Sequence, residues 1–370
     1  MACPAKAPRW QPVGHLGEAL LPSDAPVKVV WTISAWNERL LGATVHELTR
    51  SIADRRFHFE VIVVDDGSTD NCARDLPCRV IRNKAPRGIA ASLNTAAQVA
   101  IDELGADVVG VADAHMKVPV GAVEALARRA LAERCITSSA SCGWAPASAT
   151  RAWGAYLVRR RRDLIAAKWM GRRWGRDSEG ICRPAGEWGR VEVPLGAFYA
   201  FSSETAGHLV SPTGRLWETV VGRWGFLMEA LAIKCSLSGI PVYVARDVCT
   251  RHLYRKANPL RGAAHERSRN VAFATSALFS EGTWHRHFAA WCRAQLPRGE
   301  ADKLAAAARR TRCLPWSESA EEKLLTKIPD VERDISPCSP AQGANAPERP
   351  AADKMMRQAP RRKYDKRQDQ

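Results

Sequence analysis

The chain has 370 residues, 46% of them hydrophobic, which is enough for one large α/β domain or two small ones. Lys+Arg 55 against Asp+Glu 39 gives a formal net charge of +16, which favours anionic partners without choosing among nucleotides, phosphorylated sugars, nucleic acid or an anionic membrane face. The 11 cysteines form no C-x-x-C pair, which excludes a zinc knuckle or a thioredoxin-like motif; their odd number and irregular spacing fit reduced thiols. No apolar run is long enough to cross a bilayer, and the first 24 residues lack the apolar core of a signal peptide. A cytoplasmic protein is expected, with peripheral membrane contact left open.

Residues 1–25 read as a loose leader. "VKVVWTIS" (27–34) is a short apolar, β-branched run, hence a buried strand, and Leu41, Val45, Leu48 and Ile52 follow at helical spacing. "FEVIVVDD" (59–66) is a second strand ending in two carboxylates, and "CRVIR" (78–82) a third. Ile89, Leu93, Ala97, Ala100 and Leu104 share one helical face, and "DVVGVADAH" (107–115) supplies a fourth strand. This alternation predicts an α/β fold whose ligands sit beyond the carboxyl ends of the strands. Trp36-Asn37-Glu38, Asp65-Asp66 and Asp113-Ala114-His115 all fall just after such strands, so the fold gathers them along one edge. No G-x-G-x-x-G follows the first strand and no G-x-x-x-x-G-K-[ST] occurs, which argues against dinucleotide and P-loop sites.

Farther along, "AVEALARRALAER" is a helix and 135–190 reads as less regular, rich in Trp, Gly and Arg. "VPLGAFYAFS" (193–202) is a strand, "FLMEALAIKCSLSG" a helix with a glycine stop, and "IPVYVARDV" a strand leading into "CTRHLYR". Residues 260–330 are mostly helical. From about 337 the polar, proline-rich sequence predicts disorder. His285-Arg286-His287 reads as a pair on a helix face.

"TISAWNE", "VVDDGSTD", "RGIAASLNTA" and "DAH", in this order, resemble the nucleotide-binding half of a GT-A fold glycosyltransferase of family 2 type. The DAH variant with the later "RHLYR" is similar to the metal site of polypeptide N-acetylgalactosaminyltransferases. The resemblance covers roughly residues 27–256 and thins between 135 and 225. It implies a Rossmann-like, mixed, mostly parallel sheet flanked by helices, with a helical C-terminal extension. The implied organisation is a GT-A domain over 26–258 (26–120 the nucleotide half, 121–258 the acceptor half), helices over 259–335 and a disordered basic tail over 336–370.

Loss of a nucleoside diphosphate leaves charge on a pyrophosphate that a divalent cation can neutralise. An Asp and a His two apart on an extended segment project to one side and can share an ion; hard oxygen ligands suit Mg²⁺ or Mn²⁺, and an imidazole favours Mn²⁺. Read alone, Asp113 and His115 are equally a polar turn with local hydrogen bonds. With its neighbours the stretch is expected to hold Mn²⁺ (or Mg²⁺) through Asp113 and His115, with His252 third because the resemblance places a histidine there. Arg255 is expected at the diphosphate.

For the donor nucleotide, Asp66 is expected to accept a base N–H, with Asp65 supporting its loop; the same Asp and Ser also suit a helix cap. Trp36 stands where the family puts an aromatic against the base, Ser34 where a base contact falls, and Glu38 and Asp113 are counted with them. Arg87 opens a helix toward phosphate or solvent. No proline precedes Ser34, unlike in many relatives. On the acceptor side, many inverting relatives carry a Glu-Asp pair, whereas "RWGFLMEALAIKC" offers only Glu229, which is a catalytic base or acceptor contact or, equally, a carboxylate on a helix face. A retaining enzyme needs no such base. The segment "RRRRDLIAAKWMGRRWGR" (159–176) is either a solvated charged face or a grip on bases, phosphates or a lipid-linked acceptor.

The expectation is a metal-dependent glycosyltransferase, of the hexosyl or N-acetylhexosaminyl class, that uses a nucleoside-diphosphate sugar, UDP-linked by resemblance. Its acceptor is unknown: a glycan, a lipid-linked molecule, a protein or nucleic acid. The rivals are a non-catalytic nucleotide- or nucleic-acid-binding module on the same fold, and a transferase whose acceptor is nucleic acid. A nucleotidyltransferase is disfavoured because no glycine-rich, lysine-bearing loop follows the first strand.

Overall fold

The apolar runs near the N-terminus fold as a parallel sheet in which each strand feeds a crossover. The structure, a computed structural model, describes residues 12–13, 26–144, 151–152, 154–159, 165–169, 188–210, 212–218, 225–254, 263–310 and 312–328. The expectations for the leader, Arg255, most of the 159–176 segment and the tail lie outside these residues. In chain order the first half comprises β1 (Pro12–Val13), β2 (Val27–Ala35), α1 (Leu41–Arg50), β3 (Phe57–Asp65), β4 (Arg79–Arg82) and α2 (Ile89–Gln98). A π turn (Val99–Glu103) extends α2 and is followed by β5 (Val108–Asp113), β6 (Met116–Lys117) and α3 (Ala122–Ala132).

The second half comprises β7 (Ile136–Gly143), β8 (Arg151–Ala152), β9 (Ala155–Val158), β10 (Ala166–Trp169), β11 (Trp188–Val191), β12 (Phe198–Ser202), α4 (Ser203–Val210), α5 (Leu227–Leu237) and β13 (Val242–His252). Five helices close the described chain: α6 (Ala263–Leu278), α7 (Glu281–His287), α8 (Ala289–Gln295), α9 (Glu300–Arg309) and α10 (Glu318–Lys327).

The main sheet runs β1-β11-β13-β7-β12-β5-β2-β3-β4, with β6 added to β13 and β8 to β7; β9 and β10 pair separately. β4, β3, β2 and β5 are mutually parallel. β12 then enters antiparallel between β5 and β7, and β13 lies parallel to β7. The sheet is thus mixed, as the family resemblance implies.

Two apolar cores cover its faces. Leu41, Val45 and Leu48 of α1 and Leu126 of α3 bury on one face; Leu93 of α2, Leu231 of α5 and residues of α6 bury on the other. At the centre of the first core the Trp31 ring stacks on Phe198 with centroids 4.7 Å apart. Trp31 is opposite Gly110 in the β2–β5 ladder, and a Cβ at Gly110 would lie 2.2 Å from that ring. Glycine is therefore required there by close approach, in a strand otherwise lined with valine.

β7 departs from the sequence expectation, which left 135–190 irregular. Its sequence ITSSASCG has no run of large apolar residues, yet Thr137, Ser138, Ser139 and Ser141 are all buried. The hydroxyls are satisfied internally: Thr137 Oγ1 donates to the Ala200 carbonyl (3.1 Å), Ser138 Oγ to that of Tyr243 (3.2 Å), and Ser139 Oγ pairs with Thr250 Oγ1 (2.9 Å). Small hydroxyl residues can hold a central strand when each finds a partner. His285 and His287 lie on α7, beside Glu281 and Glu322 respectively.

Candidate functional site: a carboxylate and two imidazoles at the sheet edge

Asp113 closes β5, and its backbone N–H donates to the Ala197 carbonyl (2.9 Å). The chain then turns back at once into β6, whose Met116 is opposite His252 of β13. Met116 is fully buried and clamped by Thr44 of α1, whose Oγ1 accepts from the Met116 N–H (2.9 Å) and lies 3.3 Å from its carbonyl. The Leu253 N–H also reaches the His115 carbonyl (3.3 Å). This two-residue ladder, added to the parallel pairing of β13 with β7, sets a histidine 139 residues away in sequence beside the Asp-Ala-His turn.

One ligand atom from each of Asp113, His115 and His252 lies within 4.8 Å of the others. His252 Nε2 is 2.9 Å from Asp113 Oδ2, and the two imidazole centroids are 4.8 Å apart. All three side chains are partly sheltered, Asp113 being the most open at 31% exposure. Among the described residues, His252 Nδ1 is buried without a hydrogen-bond partner. The Tyr254 ring meets His252 edge-on at 4.5 Å, and burial pushes its phenol pKa up. Glu38 also joins the corner, its Oε2 2.5 Å from His115 Nδ1.

The expected nucleotide residues surround this corner. Ser34 is the register neighbour of Asp113, and Ala35 that of Asp65. Trp36 is exposed at 39%. Asp65 is buried, accepts the Ser68 N–H (2.9 Å) and pairs with Arg82, so it supports its loop. Asp66 accepts from Asn83 Nδ2 and the Arg87 N–H on one oxygen and from the Gly88 N–H on the other, each at 2.8 Å. It thereby pins the 83–88 turn; a carboxylate has about four acceptor positions, which leaves room for one more donor. The Arg87 side chain is exposed. Asn37, at φ 52, stitches the first loop to the second: its N–H donates to Ser68 Oγ (2.9 Å) and its Oδ1 accepts from the Thr69 N–H (2.7 Å).

Glu229 occupies the first turn of α5 and is engaged there. Its Oε1 accepts from the Ala167 N–H (3.4 Å) and lies 3.6 Å from Arg267 Nη2. No local pattern marks Arg267 as its neighbour, nor Trp144, which follows β7 and lies under Lys117 Nζ at 4.7 Å.

The mixed, mostly parallel sheet flanked by helices, with its strands ending in carboxylates, gives this chain the GT-A fold. More particularly, residues 31–179 match the model of the family described as Glycosyl transferase family 2, a span that includes Asp113 and His115 but not His252. Among solved structures the chain is similar to GalNAc-T7 crystallised with UDP, GalNAc and Mn²⁺, with a TM-score of 0.55 and 18% identity over 81% of this chain and 57% of that one. The chain thus spans little more than half the length of that relative, and the likeness is one of fold. Other matches are mannosyltransferase PcManGT of Pyrobaculum calidifontis in complex with GDP-Man and Mn²⁺ (TM-score 0.40, 20% identity, 87% of this chain and 83% of that one) and S. aureus TarS 1–349 in complex with UDP-GlcNAc (0.42, 12%, 76% and 79%). No curated protein sequence matches the chain. Among the described residues no helix is long and apolar enough to cross a membrane.

Proposed function

We propose that the chain transfers a hexosyl or N-acetylhexosaminyl group from a nucleoside-diphosphate sugar, UDP-linked, to an acceptor hydroxyl, with a divalent cation held by Asp113, His115 and His252. The observation that carries this reading is the convergence of one carboxylate and two imidazoles within 4.8 Å from two distant stretches of sequence. One oxygen and two nitrogens suit Mn²⁺ better than Mg²⁺, and His252 already turns its Nε2 toward Asp113 Oδ2 at 2.9 Å. When bound, the cation supplies charge neutralisation for the departing diphosphate.

The chain's own residues do the rest. Trp36 offers a face for the base, Ser34 and Asp66 offer polar contacts to it, and Asp65 fixes the loop from which Asp66 projects. Arg87 and Arg255 are assigned to the phosphates, where a planar guanidinium can meet two oxygens at once. Glu229 is assigned to the acceptor side as a binding or positioning carboxylate; its pairing with Arg267 supports that part, and supports a reaction that does not use it as a base.

Calorimetric titration of UDP with and without Mn²⁺ tests the reading. UDP is expected to bind tightly only with the ion, and Asp113→Ala and His115→Ala are each expected to abolish the metal-dependent part. Equal binding with and without Mn²⁺, unaffected by both substitutions, would sink it.

A further inference from the structure

The family resemblance counts Glu38 among the nucleotide contacts, but its surroundings give it different work. Its carboxylate is only 12% exposed and faces His115 Nδ1 at 2.5 Å. The backbone that delivers it is fixed on both sides. Asn37, in the left-handed region, is stitched to Ser68 and Thr69, and the Glu38 carbonyl accepts the Leu41 N–H (3.1 Å) where α1 begins. A sheltered carboxylate is also a poor neighbour for an anionic diphosphate.

We infer that Glu38 is a positioning residue for the cation site: its carboxylate accepts the His115 Nδ1–H and thereby turns the Nε2 lone pair toward the ion. A ligating imidazole bonded through its other nitrogen to a carboxylate is held in one tautomer and one orientation and becomes a stronger ligand. Among the described residues His252 has no such support, since its Nδ1 is buried without a partner there. The two imidazoles are thus unequal, with His115 preset by an outer carboxylate and His252 held by packing and by Asp113. This inference rests on the cation reading above.

The test uses the full chain and Mn²⁺ alone, titrated calorimetrically into the parent, Glu38→Ala and Glu38→Gln. Glu38→Ala is expected to weaken Mn²⁺ binding by about 10- to 100-fold. Glu38→Gln, whose amide oxygen still accepts from Nδ1–H, is expected to recover most of the loss. UDP affinity measured without metal is expected to stay at the parent value in both variants. Nitrogen NMR of the metal-free protein adds a readout that a general structural role would not move: His115 is expected as the Nδ1–H tautomer in the parent and as a mixture in Glu38→Ala. Parent-like Mn²⁺ affinity in Glu38→Ala overturns the inference while leaving the cation reading intact. A metal-free UDP affinity that falls as far as the Mn²⁺ affinity also overturns it and returns Glu38 to the nucleotide. If the parent itself takes up no Mn²⁺, the cation reading fails and this inference falls with it.

Discussion

From β4 to β5 the sheet is parallel and its buried positions are mostly Val, Ile, Ala and Trp; from β12 to β11 it mixes antiparallel and parallel pairs, β7 buries a row of hydroxyls, and α5 beside it buries a charge. The first half delivers Ser34, Asp65 and Asp113 to the edge simply because its strands end there. The second delivers His252 through a strand that runs parallel to β7 as far as Gly143 and is joined at its end by Met116. In the first half the fold depends on apolar area and close approach. In the second it depends on polar groups that must each find a partner, because an unmatched buried group forfeits its hydration with no return. Substitutions can break or sharpen this contrast.

The largest effect is expected at Lys234 of α5. Its ammonium is fully buried and donates to Thr213 Oγ1 (3.0 Å) and the Arg215 carbonyl (2.6 Å) and pairs with Glu218, itself 2% exposed. Burial draws the Lys234 pKa down from its ordinary value, and Glu218 opposes that shift. Lys234→Met leaves Glu218 buried and uncompensated, at a cost of about 3–5 kcal/mol. Lys234→Met with Glu218→Leu is expected to recover most of it, since replacing both members of a buried pair is often near neutral. Urea unfolding of the two variants measures the difference. A double variant as unstable as the single one would show that the segment is held through Thr213 and Arg215, not through the charge pair.

The apolar half offers the next effect. Gly110→Ala sets a methyl 2.2 Å from the Trp31 ring, against rigid atoms on both sides. Overpacking of this kind costs about 1–3 kcal/mol. A lower urea midpoint with an unchanged slope, together with an altered near-ultraviolet tryptophan signal, is the expected result. A parent-like midpoint would mean the first core yields more readily than its packing implies.

Legibility in the sequence follows the same division. β2, β3 and β5 announce themselves by β-branched runs, and the carboxylates at their ends were readable as a ligand edge from position alone. β7 is not legible because its serines carry no apolar period; only the partners of those hydroxyls, on β12 and β13, make it a strand, and such partners lie 63 to 111 residues away. His252 was placed by resemblance, because a two-residue ladder leaves no pattern in the sequence. The Glu38–His115 contact leaves no trace in the sequence beyond Asn37, a residue that tolerates left-handed backbone and so permits the sharp turn there. Arg267 as the neighbour of Glu229 had no local signal, since helix-to-helix partners across 38 residues depend on how α5 and α6 pack.

The smallest effect, and the sharpest test of the hydroxyl half, is at Ser139 and Thr250. Thr250 Oγ1 donates to the Ala140 carbonyl (3.2 Å), so Ser139 is the donor in the bond between the two hydroxyls. Ser139→Ala removes that donor and leaves the Thr250 oxygen buried with less than it needs, which is expected to cost about 1 kcal/mol. Thr250→Val keeps the shape but strands the Ser139 hydroxyl, and a similar loss is expected. The two together remove both polar groups, and their combined loss is expected to fall short of the sum, with a coupling of about 0.5 kcal/mol or more in a double-mutant cycle. Strict additivity would mean the two hydroxyls stabilise β7 and β13 independently, each through its own strand. In that case β7 holds its place by close packing of small side chains, as the first half of the sheet does with large ones, and the contrast between the halves is one of residue size, not of polarity.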